Sequence, residues 1–290
     1  MQIPAGSDSV LHTLSHYGRL GEVLIIGAGI VLIRTGVLFP NHIRLQRKGL
    51  DLLLAGKPVE AEKRYRTALD LGAKVPESDR VHLLVCLGDA LFDQGRYGEA
   101  QQYLTQALEL GDPTGSGQGS MCDVLLAQKA SLEKAIEMAD LAMQLWGRAL
   151  VGLPFGSRWA TVSKDLYEAK TCARKAQALL MLGQRTEARQ AVDRALSILD
   201  ASKSDLQVVR PQSSLAGRLA VGNRLQRMKE LTISATYWRV GLSLVAIGDK
   251  SKAAEEFRTV YDTDRMGKYH ILAQKQLESL GYSSPVHPII

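Results

Sequence analysis

Residues 49 to 71 read GLDLLLAGKPVEAEKRYRTALDL, and residues 88 to 110 read GDALFDQGRYGEAQQYLTQALEL. The two stretches superimpose at a first glycine, a second glycine, an alanine and a closing Ala-Leu-x-Leu. In each, an apolar run leads to a glycine turn, and a second run places apolar residues at helical spacing. Each stretch therefore predicts two helices joined by a tight turn, and their repetition predicts an array of such hairpins.

The repeated positions resemble the tetratricopeptide repeat, which has small residues where its two helices cross. Small residues matter there because the helix axes approach to about 8 Å. The matching residues are Gly49, Gly56, Ala61, Tyr65 and Ala68 in the first unit and Leu84, Gly88, Leu91, Gly95, Tyr97, Ala100, Leu104 and Ala107 in the second. Weaker matches follow at Ala176, Leu179, Gly183, Ala188, Val192 and Ala195, and at Gly241, Leu244, Gly248, Ala253 and Phe257.

The resemblance implies an all-α fold, a right-handed superhelix of antiparallel helix pairs over residues 42–264. We expect units near 42–75, 81–113, 169–200 and 234–264, and a degenerate unit near 121–150 in which Asp123 takes the small-residue place. The glycine-rich loop from Gly111 to Ser120 and a break from about Ala201 to Leu215 interrupt the pattern. Residues 265–290 predict a capping helix with a more polar outer face and a tail.

Residues 20–39, LGEVLIIGAGIVLIRTGVLF, predict a transmembrane helix preceded by a polar tail, 1–19. Such a helix is about 30 Å long, enough to cross a hydrocarbon core. Arg44, Arg47 and Lys48 follow it, whereas only Arg19 precedes it, so the positive-inside rule predicts a single-pass protein whose repeats face the cytoplasm. A buried soluble helix and a signal-peptide core are the alternatives.

The same stretch has part of a dinucleotide-binding fingerprint, but the third glycine is missing. Gly27 and Gly29 are followed by Leu32 at that position, and no alternation of strands and helices continues the unit. We therefore expect no nucleotide site and no cofactor.

Residues suited to catalysis or metal binding are scattered. Cys86, Cys122 and Cys172 form no CxxC motif, and His12 and His16 have no third ligand nearby. The sequence has no GxSxG, HExxH or P-loop. We expect a non-enzymatic protein without a metal site.

In a tetratricopeptide array the first helices line a concave groove, which suits an extended peptide or a helix of a partner protein. The resemblance places six candidate partner-binding residues on this face: Phe92, Asp89, Gln177, Arg174, Trp238 and Arg239. Arg47, Arg174 and Arg239 recur at one position, and the favoured alternative is that they pair with acidic residues of neighbouring repeats. The Lys and Asn set that grips acidic chaperone tails is missing.

Charge limits the kinds of partner. Lys and Arg number 36 against 30 Asp and Glu, but the basic residues are interspersed with acidic ones, so a nucleic-acid groove is not expected. The favoured interpretation is a membrane-anchored scaffold or adaptor for complex assembly. The alternative is a soluble structural subunit whose apolar amino-terminal helix is buried in a protein interface.

Overall fold

The computed structural model describes residues 40–149, 157–209, 222–263 and 268–282. All regular structure in these ranges is helical, which confirms the all-α expectation for this part of the chain. Its helices are α1 (Asn41–Leu54), α2 (Pro58–Leu69), α3 (Glu77–Asp93), α4 (Tyr97–Glu109), α5 (Ser116–Gln128), α6 (Leu132–Ala149), α7 (Ser157–Met181), α8 (Arg185–Val209), α9 (Gly222–Ile247), α10 (Lys250–Thr263) and α11 (Lys268–Ser279), with a 3-10 turn at Gly72–Lys74.

The polar tail and the predicted membrane helix, residues 1–39, lie outside the described residues. Among the helices that are described, none is both long and apolar enough to cross a membrane.

The helices pair in chain order, from α1 with α2 to α9 with α10, and α11 packs on α10. Short turns join the two helices of each pair, which therefore run antiparallel. The first helices α1, α3, α5, α7 and α9 contact one another in succession and form one side of the array, here called the inner face. The expected stack of helical hairpins is present.

Within three of the pairs, a glycine of the first helix faces a large side chain of the second. A Cβ atom added to Gly49 would lie 2.5 Å from the Tyr65 ring, and one added to Gly88 would lie 2.7 Å from Leu104. The large side chains are fully buried, so they have little room to move. Glycine at these places permits the close crossing of the paired helices.

The turns between paired helices also depend on glycine. Gly56 and Gly95 have φ of 70° and 75°, which other residues rarely adopt. This geometry lets the N–H of the next residue donate to a carbonyl of the preceding helix, as Lys57 does to Leu52 at 2.8 Å.

In the third pair, the left-handed residue of the turn lies one residue further from the second helix. Lys129 takes the left-handed place of the turn glycine with φ 52°, and the Ala130 N–H donates to the Leu125 carbonyl at 3.2 Å, as in the other turns. One further residue, Ser131 with φ 49°, then precedes α6. Two residues therefore separate the left-handed residue from the second helix, whereas one residue does so in the first two pairs.

This extra residue corrects the expected place of Asp123. Counting back from the turn, Cys122 takes the small-residue position that Gly88 has in the second pair, and Cys122 is fully buried. Asp123 corresponds instead to Asp89, on the inner face. The expectation was wrong because it counted back from α6 as if one residue separated the left-handed residue from that helix. The small-residue position was therefore placed one residue too far along the chain, at Asp123.

Two other boundaries differ from the sequence analysis. Helix α5 begins at Ser116, inside the predicted glycine-rich loop, because the Asp112 carboxylate accepts a hydrogen bond from the Gly117 N–H at 2.7 Å and caps the helix. Helix α8 continues through the predicted break to Val209, and its Ser202 hydroxyl donates to Asp165 of α7 at 2.5 Å.

Helix α11 differs from a polar cap. Its inner side is anchored by His270, whose ring stacks on Tyr261 with centroids 3.9 Å apart. Its outer side exposes Ile271 and Leu272, at 58% and 37% of their surfaces. The predicted polar outer face is therefore interrupted by two aliphatic residues.

The last pair is stacked differently from the others. At each earlier junction the incoming first helix packs on the second helix of the preceding pair, whereas α9 packs mainly on α7. The Thr236 and Ser243 hydroxyl oxygens lie 3.3 and 3.4 Å from the Leu166 and Ala173 carbonyl oxygens of α7. These short polar side chains permit close packing of the two first helices, and α9 consequently lies toward the inner face.

We expect Gly88→Ala to lower the free energy of unfolding by about 1–3 kcal/mol, because the added methyl group overlaps Leu104. Gly98→Ala is the matched control, since a Cβ atom there meets nothing within 4 Å. Gly88 lies inside α3, where alanine gains helix propensity, whereas Gly98 lies in the first turn of α4. A loss of stability in Gly88→Ala alone therefore reports the overlap. Urea unfolding followed by circular dichroism measures it, and equal shifts in the two variants would contradict the packing model.

Candidate functional site

Six polar side chains from four first helices gather on the inner face. This inner-face cluster consists of Asp89 of α3, Asp123 of α5, Lys170, Arg174 and Gln177 of α7, and Arg239 of α9. Helices α3 and α5 contribute the acidic members, whereas α7 and α9 contribute the basic ones. The two walls of the inner face therefore carry opposite charge.

Asp123 is the centre of the cluster. Arg174 donates to it through Nε at 2.8 Å and Nη2 at 2.7 Å, a bidentate arrangement, and Nη2 of Arg239 lies 2.6 Å from its Oδ1. Arg239 also donates through Nη1 to the side-chain amide oxygen, Oε1, of Gln177 at 3.3 Å. One carboxylate thus joins helices α5, α7 and α9.

Two opposing effects act on the Asp123 carboxyl. Burial would raise its pKa, but the Arg174 and Arg239 guanidinium charges outweigh burial and hold the pKa well below its ordinary value. Because the shift is downward, the pairing stabilises the fold above the ordinary carboxyl pKa. That stabilisation is lost only as the pH falls through the lower pKa of the folded protein.

Arg174 is almost completely enclosed, with 4% of its side chain exposed. Its guanidinium carbon lies 6.0 Å from the centre of the Tyr167 ring, and its Nη1 is buried without a hydrogen-bond partner. A Cβ atom at Gly119 would lie 2.8 Å from this Nη1 and 2.7 Å from the Tyr167 hydroxyl. The packing of Gly119 therefore fixes the position of the arginine.

Asp89 and Lys170 of the inner face both have pKa values displaced toward neutral pH. Desolvation raises the pKa of the Asp89 carboxyl to about 6, against the lowering effects of a hydrogen bond with Ser120 and the charge of Lys170, although part of the residue stays accessible to solvent. Burial, together with the Arg174 charge, lowers the pKa of Lys170 to about 7. Asp89 is thus a solvent-accessible anionic contact at neutral pH.

The structure brings four of the six predicted site residues together: Asp89, Arg174, Gln177 and Arg239. The predicted alternative for the arginines, pairing with an acidic residue of a neighbouring repeat, is confirmed for Arg174. Arg239 pairs with the same carboxylate, which lies two helix pairs away. Asp123 was missed as a site residue, because only the turn at Lys129 reveals that it belongs to the inner face.

Phe92 and Trp238 lie apart from the cluster, in aromatic packing. Phe92 contacts Tyr97 with ring centroids 5.4 Å apart. Trp238 contacts Phe257 at 5.2 Å and Tyr269 at 6.2 Å, so it joins α9 to α10 and α11. Both are half-buried, and their aromatic contacts join neighbouring helices rather than the charged cluster.

The cysteines lack the features of nucleophiles. Burial raises the pKa of the Cys86 and Cys122 thiols to about 12 and that of Cys172 to about 11. All three are free thiols, and thiolates are the reactive form. Within the ranges that the structure covers, His, Cys, Asp and Glu form no group of three able to hold a metal ion. His12 and His16 lie outside those ranges.

Comparison with known proteins bears on the first two pairs. Residues 42–112 match the family model of the tetratricopeptide repeat. No curated protein matches the chain significantly. The segment that is similar to this repeat therefore spans helices α1 to α4.

Three solved structures are similar over most of the chain. A tetratricopeptide repeat protein from Parabacteroides merdae is 15% identical over 83% of this chain and 99% of its own, with a TM-score of 0.33. The TPR2AB domain of yeast Sti1, in complex with pHSP90, is 15% identical over 83% and 98%, with a TM-score of 0.31. The RpL4 assembly chaperone Acl4 is 12% identical over 83% and 97%, with a TM-score of 0.41.

Replacing Asp123 by Asn should lower the free energy of unfolding by about 3–5 kcal/mol, because it leaves the buried Arg174 cation without a counter-ion. Asp193→Asn is the matched control. It removes an exposed ion pair with Arg189 and should cost less than about 1 kcal/mol. Chemical denaturation at pH 7 measures both, and a cost for Asp123→Asn as small as the control would show that the cluster does not hold the helices together.

Proposed function

We propose that the protein is a non-enzymatic tetratricopeptide scaffold whose inner face binds a partner protein. The observation that carries the proposal is the inner-face cluster, in which four successive first helices contribute polar side chains to one surface. Asp89 is exposed there, and Asp123, Arg174 and Arg239 hold the surrounding helices in place.

The tetratricopeptide match supports this role, because stacked helix pairs present an extended surface for a peptide or a helix. The contrast between an acidic wall and a basic wall supports selection of a partner by charge. Asp89 is the member of the cluster best placed for a direct contact, since Arg174 is enclosed and Asp123 is already shared by two arginines.

Asp89→Lys should abolish capture of the partner while leaving the fold intact. Proximity labelling in cells, with the labelling enzyme fused to the chain, measures the change. Glu133→Lys is the matched control, because it makes the same change of charge at an exposed position on α6, a second helix. A set of labelled proteins that is the same for wild type and Asp89→Lys would place the binding surface elsewhere.

We also propose that residues 20–39 anchor the scaffold in a membrane, with the repeats in the cytoplasm. The apolar run from Val23 to Ile33 and the basic residues Arg44, Arg47 and Lys48 that follow the segment support this orientation. A soluble subunit that buries the same segment in a larger complex is the second candidate, favoured by the same apolar run.

The two candidates differ in fractionation. The anchor predicts that wild type stays in the membrane pellet after a high-salt wash. The Ile30→Lys variant should instead be released from the membrane pellet, since a charge near the centre of a spanning helix costs about 2.5–3.5 kcal/mol. Ile30→Leu is the control and should remain in the pellet. Recovery of wild type in the aqueous phase would exclude the anchor and favour the soluble subunit.

A further inference from the structure

Lys170 lies on the inner face among charges that do not pair with it directly. It precedes Arg174 by one turn of α7, so the two side chains share one side of the helix. The charges of Asp89, Asp123, Arg174 and Arg239 all act on its amine. In the part of the chain that the structure describes, no carboxylate lies within ion-pair distance of the Lys170 ammonium group.

The central carboxylate of the cluster is already engaged by other cations. Both oxygens of Asp123 accept hydrogen bonds from Arg174, at 2.8 and 2.7 Å. Nη2 of Arg239 lies 2.6 Å from the Asp123 Oδ1 atom. The ammonium form of Lys170 therefore meets two guanidinium charges without a counter-ion of its own.

Of the three cations gathered around Asp123, only the lysine can give up its proton. A guanidinium keeps its charge at any pH at which a protein is folded, whereas a lysine amine loses its charge readily when it is desolvated. Lys170 is half-buried. Burial and the charges of Arg174 and Arg239 accordingly lower the pKa of the Lys170 amine to about 7, against the opposing charges of Asp123 and Asp89.

This environment distinguishes Lys170 from a lysine on an open surface. With a pKa of about 7, roughly half of the molecules carry a neutral Lys170 amine at pH 7. An ordinary lysine, with a pKa of about 10.4, is neutral in only about one molecule in 2,500 at that pH. The neutral amine is the nucleophilic form, so Lys170 is equipped to attack an electrophile.

We propose that Lys170 is a modification site, at which the amine takes an acyl group from an acyl thioester. The amine nitrogen attacks the thioester carbonyl carbon, a C–N bond forms and the C–S bond breaks. The thiolate leaves and takes up the proton that the amine loses. An amine and a thioester thus give an amide and a thiol.

The surrounding charges favour acylation over other lysine modifications. Acylation removes the lysine charge, so it relieves the repulsion by Arg174 and Arg239. Methylation keeps the charge and relieves nothing. Negative charge also develops on the carbonyl oxygen as the amine attacks, and fixed guanidinium charges nearby stabilise it.

The reaction needs no partner protein, so the site goes beyond the proposed function and is tested independently of it. Acylation would nevertheless change the surface to which that function assigns the partner. It would remove one of the positive charges that act on Asp89, the member of the inner-face cluster best placed for a direct contact.

The test uses the full-length chain and S-acetyl-N-acetylcysteamine, a small acetyl thioester, as the probe. Mass spectrometry of proteolytic peptides follows the acetylation of each lysine over time. At pH 7, the rate constant at Lys170 should exceed that at Lys164 at least about tenfold, because more of the Lys170 amine is neutral. Lys164 is the matched control, since it is exposed on the same helix. A rate constant at Lys170 no greater than that at Lys164 would overturn the proposal.

The pH dependence separates a neutral amine from one that is only accessible. The rate constant at Lys170 should rise as the pH approaches 7 and level off above about pH 8, because the amine is fully deprotonated above its pKa. Ordinary lysines continue to react faster with each further unit of pH. A rate constant at Lys170 that still rises tenfold between pH 8 and pH 9 would also overturn the proposal.

Arg239→Met examines the electrostatic cause. Loss of this cation should raise the pKa of the Lys170 amine, so the rate constant at pH 7 should fall at least about threefold. Arg194→Met is the matched control, because it removes an exposed arginine that pairs with Glu168, another residue of α7. Equal Lys170 rate constants in Arg239→Met and Arg194→Met would contradict the role assigned to the arginines.

Discussion

The close approach of the two helices in each pair is the constraint on which the structure depends. Gly49, Gly88 and Gly241 leave room for Tyr65, Leu104 and Phe257, and those large side chains are completely buried. Because the contact recurs, each pair presents similar surfaces to the next pair, and an array follows without a separate core for each unit. The first helices then lie side by side and create the inner face.

The sequence predicts this part of the fold well, because the close crossing requires residue types that are visible as a pattern. The all-α class, the hairpins at Gly49 and Gly88, and the pairing of Arg174 and Arg239 with an acidic side chain were all predictable. The partner of these arginines was not. A turn with one extra residue at Ser131 shifts the phase between α5 and α6, and periodicity does not locate such a shift when Lys129 replaces the usual glycine.

Tertiary contacts account for the other differences. Helix α8 passes through a stretch rich in Ser and Asp because Ser202 binds Asp165 of the neighbouring helix, a contact between residues distant in sequence. Similarly, α9 lies on α7 because Thr236 and Ser243 are short enough for close packing. Local propensity indicates a helix in each case but not what the helix packs against, and that packing determines how much of the inner face stays open.

The bidentate bond between Arg174 and Asp123 has a consequence for folding. Hairpins built on one repeated contact have surfaces similar enough to stack in the wrong order, a characteristic failure of repeat proteins. A misordered stack would enclose Arg174 beside a neighbour without Asp123, and an uncompensated buried charge costs about 3–5 kcal/mol. The ion pair therefore disfavours any arrangement of the hairpins in which Arg174 is buried without Asp123.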